Sequence, residues 1–177
     1  MNIVLLTGSA HRSGTTAALA REFQRGAEDA GHEVFRFDTA FREVHPCIGC
    51  DRCRREGVCT FAADDMKRLN PHLLAAEAVV FVSPIYYFDL SAQLKAVIDR
   101  FYANDDALHG GKRALLLTAM ADEDLGAAEG ADTTFRSICA YLQWENAGIL
   151  NAAGASTAED LTEEDLRRAY DLGKDLK

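Results

Sequence analysis

Five short apolar runs, each closed by small polar or turn-forming residues, limit what this chain can fold into more than any other feature of its sequence. Residues 3–6, Ile-Val-Leu-Leu, are continuously apolar and run into Thr7-Gly8-Ser9, as a strand buried on both faces would. A helix is expected over 15–30, with Leu19, Phe23 and Ala27 on one stripe and Gly31 as its stop. Residues 33–37 alternate polar and apolar, which predicts a second strand, and the 78–82 run, Ala-Val-Val-Phe-Val, is the clearest strand of all. It ends at Ser83-Pro84, and an aromatic loop leads to a helix over 91–102 whose buried stripe is Leu94, Val97, Ile98 and Phe101. A fourth strand over 114–117 follows Gly110-Gly111; a helix over 132–146 leads to a fifth strand at 149–152. Thr162-Glu163-Glu164-Asp165 resembles a capping box opening the last helix. Between the second and third strands, 39–63 looks irregular, and Asp64 and Asp65 open a short helix that Pro71 interrupts or restarts.

Strands alternating with helices specify a doubly wound α/β fold, a five-stranded parallel sheet covered on both faces. No linker or repeat divides the 177 residues, so 1–177 reads as a single domain with a cysteine-rich loop at about 45–63. Ligands of such sheets sit beyond the carboxyl ends of the strands, where strand order reverses. The loops after the first, third and fourth strands are therefore where chemistry belongs. A net charge of −9 leaves no basic stripe for phosphate neutralisation, which argues against nonspecific nucleic-acid binding. No run is long enough to span a bilayer and none has a signal-peptide charge pattern; the expectation is a cytoplasmic protein with reduced thiols and no membrane partner.

The first loop carries hydroxyls at Ser9, Ser13, Thr15 and Thr16 around Gly14, at the start of a helix whose backbone amides are free to bind an anion. Arg12 adds a fork-shaped cation suited to phosphate. The P-loop spacing and its lysine are absent, as is the Gly-x-Gly-x-x-Gly turn of dinucleotide sites, so a terminal monophosphate fits best. The bland alternative is a polar loop that merely caps a helix. His11 has three readings: a donor to phosphate, a contact for a nicotinamide, or a cap of its own turn.

The second loop, Pro84-Ile85-Tyr86-Tyr87-Phe88, offers a stiff, flat-sided wall for a planar ring, although aromatics there serve equally as core or dimer face. Thr118, Ala119 and Met120 in the third loop are small or uncharged and complete the rim of the same pocket. No Ser/His/Asp set or acid–base carboxylate pair stands out.

Taken together, Gly8-Ser9 with Arg12 and Thr15-Thr16, then Ser83-Pro84-Ile85-Tyr86, then Ala92-Gln93-Leu94-Lys95 followed by Ile98-Asp99-Arg100, resemble the NADPH-dependent FMN reductase family of flavodoxin-like proteins. The likeness covers nearly the whole chain and is specific only in combination. It implies a flavodoxin-like sheet of strand order 2-1-3-4-5, with FMN held non-covalently by the first loop at its phosphate and by the second and third at its isoalloxazine. It further implies reduction by NAD(P)H as co-substrate, a homodimer or higher homo-oligomer, and delivery of electrons to a small-molecule or protein acceptor. Flavodoxins proper, which carry single electrons, usually lack arginine in the phosphate loop, so Arg12 favours the reductase branch.

Cys47, Cys50, Cys53 and Cys59 form a compact Cys-x-x-Cys-x-x-Cys-x5-Cys run. Two Cys-x-x-Cys steps in series suit iron–sulfur ligation, because neighbouring thiolates reach adjacent irons of one cluster. Zinc, a redox disulfide and a metal-free loop are the alternatives. The run also resembles the motif of iron–sulfur flavoproteins, which implies a 4Fe-4S cluster beside FMN and electron transfer between the two; Asp64-Asp65-Met66 resembles the segment that follows it there. Without metal or a partner subunit, so long a polar loop is expected to be poorly ordered. Cys139, between Ile138 and Leu142 on a helix, reads as a packing thiol.

Overall fold

The computed structural model describes residues 1–177. Five long strands, β1 (Asn2–Thr7), β2 (Glu33–Asp38), β3 (Ala78–Tyr86), β5 (Arg113–Ala119) and β6 (Glu145–Ala152), pair in the order β2-β1-β3-β5-β6, all parallel. Counting the long strands alone, this is the expected 2-1-3-4-5 order of the doubly wound flavodoxin-like fold. The addition is β4 (Asp89–Leu90), a two-residue strand antiparallel to the end of β3. Parallel neighbours need crossovers, and the helices supply them: α1 (Thr15–Asp29), α2 (Arg52–Glu56), α3 (Met66–Ala75), α4 (Ala92–Asp99), α5 (Asp105–Leu108), α6 (Glu129–Leu142) and α7 (Glu163–Lys174). None is long and apolar enough to cross a membrane.

Strand side chains alternate between two cores. Val4, Leu6, Val79, Phe81 and Leu116 pack beneath α3, α4 and α6, and Ile3, Leu5, Val80, Leu115 and Leu117 beneath α1 and α7. Leu94, Val97, Ile98 and Phe101 are buried, as the stripe required. Cys139 is buried too, and burial pushes its thiol up to about 11. Thr162 and Asp165 form the capping box of α7. That helix crosses α1 at near-contact distance, since a Cβ on Gly26 would overlap the Tyr170 carbonyl and one on Gly173 would overlap that of Phe23.

The elements differ from the sequence expectation in four places. Pro71 lies inside an unbroken α3. Its missing amide would have paired with the carbonyl of Lys67, which lies in the exposed first turn, open to solvent. Strand β3 runs on through Pro84, which pairs with Ala119. On the other side β1 has already ended, its last pairing being Thr7 with Val82, so a residue without an N–H is tolerated there. Helix α6 stops at Leu142 rather than 146, because left-handed Gln143 turns the chain and Trp144 is buried, its indole donating to the Leu108 carbonyl at 2.6 Å. Strand β6 therefore starts four residues early, its pattern hidden by an edge position and a bulge between Asn146 and Gly148.

The segment from 39 to 63 contains a single-turn 3-10 helix (Thr39–Phe41) and α2. It is tied down by charge rather than by a core. Arg100, 3% exposed, donates to Asp64 at 2.6 Å, to the His45 carbonyl at 2.8 Å and to the Phe61 carbonyl at 3.2 Å, so both ends of the loop close on one guanidinium. The His45 and Phe61 rings stack over this clasp at 4.7 Å. Arg54 of α2 makes a second tether to Asp105 and Asp106, at 2.9 and 3.1 Å. The loop's order thus does not depend on a metal or a partner alone. Burial pushes the Asp64 carboxyl up, but the Arg100 bond, the amides of His45 and Met66 and the Arg100 charge together hold it below the usual range.

Two predictions follow from this packing. Gly26→Ala should destabilise the fold by about 1–3 kcal/mol through overpacking, seen as a lower denaturation midpoint. Because Asp64 is depressed on folding, its contribution is complete above its unfolded pKa near about 4 and is lost as pH falls through the lower folded value. Proteolysis of the 45–63 loop should therefore accelerate below about pH 4, and Asp64→Asn, which leaves Arg100 unpaired, should show fast cleavage already at neutral pH.

Candidate functional site

The loops after β1, β3 and β5 meet at the carboxyl edge of the sheet, and one buried knot fixes two of them. The Gly8 amide donates to the Val82 carbonyl at 2.8 Å, and the Ser91 hydroxyl donates to the Gly8 carbonyl at 2.8 Å. The Ser91 amide in turn donates to the Ser83 hydroxyl at 2.9 Å, while Ser91 caps α4 by accepting from the Leu94 amide. A Cβ on Gly8 would overlap the Ser91 oxygen, so the first loop approaches α4 only as glycine. Sequence reasoning passed over Ser91 as part of a structural helix; its N-cap position was the available signal.

In the first loop, buried Ser9 turns its hydroxyl back to accept from the His11 amide at 3.0 Å, and the His11 carbonyl accepts from Gly14. Helix α1 begins after Gly14 with no side-chain cap and no acidic residue in its first turn, so the amides of Thr15, Thr16 and Ala17 face out unclaimed. Arg12 is exposed and lies over the Phe41 ring, 3.6 Å from its centroid, which holds the guanidinium without using its hydrogen-bond donors. Thr7, Ser9, Arg12, Thr16, Arg36 and Asp38 line a cleft of about 70 Å³ beneath it. Asp38 accepts from Thr7 at 2.7 Å and from Arg36 at 2.8 Å. Burial pushes its carboxyl up, but these two bonds and the Arg36 and Arg12 charges hold it low and ionised. Ser13 and His11 are exposed, Thr15 is half-buried and Thr16 is buried.

The second loop is a two-residue hairpin. Ile85 pairs with Leu90 and Tyr86 with Asp89, so Tyr87 and Phe88 make the turn, at φ +47° and +68°. Two consecutive left-handed residues define a turn that normally takes Asn-Gly; aromatic side chains there store about 1–3 kcal/mol of strain each. They are also exposed: Tyr86 by 50%, Tyr87 by 99% and Phe88 by 63%. The turn is rigidly seated, since Thr134 donates to Asp89 at 3.1 Å and a Cβ on Gly130 would overlap the Phe88 carbonyl. Pro84 is buried in the sheet and Ile85 packs on Met120, Ala127 and Ala128. The strain is thus held at an exposed, apolar, anchored turn and not in the core.

The third loop turns its side chains inward. Thr118 is fully buried and donates to Asn151 at 2.6 Å, and Ala119 and Met120 are buried as well. Only the backbone of these three residues is left to face the edge, whereas Ala121 to Leu125 beyond them are exposed.

The four loop cysteines are all free and all line one cleft with Arg100 and Tyr102; Cys47 and Cys50 are exposed, and Cys53 and Cys59 are half-buried. No three His, Cys, Asp or Glu groups converge closely enough to hold a metal ion. A Thr60 hydrogen bond at 3.3 Å, helped by the Arg52 amide, lowers the Cys50 thiol from its ordinary value.

A family description, NADPH-dependent FMN reductase, matches residues 1–148. Among curated proteins, an iron–sulfur flavoprotein of Methanocaldococcus jannaschii is 34% identical over 100 residues, 56% of this chain and 51% of that one. An FMN-dependent NADH:quinone oxidoreductase of Methylorubrum extorquens is 32% identical over 126 residues, 63% and 62% of the two chains. The chain thus spans about half the length of the iron–sulfur flavoproteins it matches. The solved NAD(P)H:quinone oxidoreductase of Methanothermobacter marburgensis shares the fold with a TM-score of 0.74 over 99% of this chain and 95% of that one, at 20% identity. With sheet order, loop positions and family match in agreement, this chain belongs to the NADPH-dependent FMN reductase family.

Proposed function

We propose that the chain binds FMN across the carboxyl edge of its sheet and passes reducing equivalents from NAD(P)H through it to a small-molecule or protein acceptor. The observation that carries this is the pairing, on one edge, of an uncapped helix N-terminus backed by Arg12 with a strained, exposed aromatic hairpin. One end suits a phosphate and the other a flat apolar ring, which is the shape of a flavin mononucleotide. The names of the quinone oxidoreductase and flavoprotein relatives support the same reading.

In this reading the amides of Thr15 and Thr16, Gly14, the hydroxyls of Ser9, Ser13 and Thr15 and the Arg12 guanidinium hold the phosphate, with His11 at its margin. Asp38 stays ionised and keeps Arg36 engaged, so Arg12 is the cation left to the ligand. Pro84 and Ile85 fix the direction of the hairpin; Tyr86, Tyr87 and Phe88 border the isoalloxazine and exclude water from one face; the backbone of Thr118, Ala119 and Met120 closes its edge. Bound FMN would supply hydride acceptance and one- or two-electron release, which no side chain here provides. The protein would work as a homodimer in the cytoplasm, with exposed Tyr102 and Tyr141, beside a groove of about 840 Å³ between α4 and α6, covered by the second copy.

A second reading is carried by the cysteine cleft. The four thiols line one cleft, and their Cys-x-x-Cys-x-x-Cys-x5-Cys spacing suits iron–sulfur ligation. Cys47, Cys50, Cys53 and Cys59 would hold a 4Fe-4S cluster, which stores one electron beside the flavin; the name of the Methanocaldococcus relative supports it.

Three outcomes test these readings. Arg12→Ala should weaken FMN binding by about 1.5–3 kcal/mol, roughly 10- to 150-fold, in calorimetric titration; unchanged affinity rejects the phosphate role. Replacing Tyr87-Phe88 by Asn-Gly should raise the melting temperature by relieving strain while lowering FMN affinity; a variant with unaltered affinity would make the hairpin a contact for something else. Serine at any one of the four cysteines should cut iron and acid-labile sulfide in anaerobically reconstituted protein, and near-zero iron in the parent removes the cluster while leaving the FMN reading in place.

A further inference from the structure

Arg12 stands beside a carboxylate and does not bond to it. Asp38 lines the same cleft; burial raises its carboxyl, and the Arg12 charge is among the influences that hold it low, so the two lie close. The bonds Asp38 accepts from Thr7 and Arg36, at 2.7 and 2.8 Å, both end on Oδ1, which leaves Oδ2 able to take another donor. An exposed arginine with its fork of donors ordinarily closes such a pair. Arg12 instead rests over the Phe41 ring, its guanidinium carbon 3.6 Å from the centroid. The ring engages the face of the cation and none of its N–H groups.

Phe41 is held in place for this. It ends the 3-10 helix Thr39–Phe41, which is pinned on both sides. The buried Thr39 hydroxyl donates to the Thr7 carbonyl at 2.8 Å. Glu43, just beyond, donates its amide to the Asp65 carboxylate at 2.9 Å and accepts the Asp65 amide at 2.9 Å. The ring is 37% exposed and belongs to neither core, so apolar packing does not account for an aromatic here.

On the FMN reading given above, we infer that Phe41 is a positioning residue of the phosphate site, which holds Arg12 off Asp38 and keeps the donor edge of its guanidinium free for the phosphate of the ligand. A long side chain loses rotamer freedom when a ligand orders it, and a cation already seated on a fixed ring loses less.

FMN is titrated into the full chain as parent, Phe41→Leu, Arg12→Ala and the double variant. Phe41→Leu keeps an apolar side chain and removes the π face. It should weaken FMN binding about 3- to 30-fold, the worth of a cation–π contact between exposed and desolvated sites. Phe41→Tyr, which restores the face, should bind within about twofold of the parent. In the Arg12→Ala background, Phe41→Leu should change nothing further. Parent affinity in Phe41→Leu overturns the inference. So does equal weakening by Phe41→Leu with and without Arg12, since the ring then acts through the fold. A second readout needs no ligand. Ring currents should move the Arg12 side-chain protons of the parent upfield in NMR, and Phe41→Leu should return them to ordinary positions. Ordinary positions in the parent overturn the inference even where a variant fails to fold. A parent that binds no FMN removes the FMN reading and this inference together, whereas a parent that binds FMN no better than Phe41→Leu removes the inference alone.

Discussion

The hydroxyl of Ser91 is the contact on which the candidate site depends. It donates to the Gly8 carbonyl from an element 83 positions away, accepts from the Leu94 amide in the first turn of α4, and sits where any side chain at Gly8 would stand. Through the adjoining bond from the Ser91 amide to Ser83, the first loop, the end of β3 and the start of α4 become one rigid body. The N-terminus of α1 and the β3 hairpin are then held at a constant separation, as a site for one elongated ligand would require.

Around that knot the chain distributes stability and function differently. The sheet is a dry layer of Val, Ile, Leu and Phe between two helix layers, and its strands need no help from charge. Both functional segments are held the other way. The hairpin carries backbone strain that the docking of β4 and Gly130 on α6 must offset, and the cysteine loop is closed by two arginine–carboxylate tethers with little apolar burial. Buried ion pairs fix geometry more surely than they add stability.

The left-handed aromatic turn is also held in one geometry. Its φ values are tolerated only while Thr134 and Gly130 hold it in place, so it presents its rings in one orientation. The uncapped start of α1 is the complementary device. Where a serine or aspartate cap would have satisfied its amides internally, Gly14 leaves them without a side-chain partner.

The strands, most helices and the positions of the three loops were legible in the sequence, because they depend on local periodicity and on runs of apolar residues that any parallel sheet must bury; the strand order came only from the family resemblance. So were the anion-ready first loop and the four-thiol spacing, which are properties of neighbouring residues. Tertiary structure alone decided the rest, since each such feature pairs residues far apart or overrides a local preference. Pro71 stays helical because solvent serves the orphaned carbonyl, and Trp144 ends α6 because the core takes its ring. Tyr87 and Phe88, residues that disfavour left-handed backbone, adopt it because pairing of Tyr86 with Asp89 leaves the turn no other length. Thr118 faces Asn151 and not the ligand edge because β6 lies beside it. Arg100 reads as one cation in a helix until the fold brings Asp64, 36 positions earlier, and the cysteine cleft to the same point. No periodicity encodes a contact at that distance; it exists only once α4 and the loop are packed on the same face of the sheet.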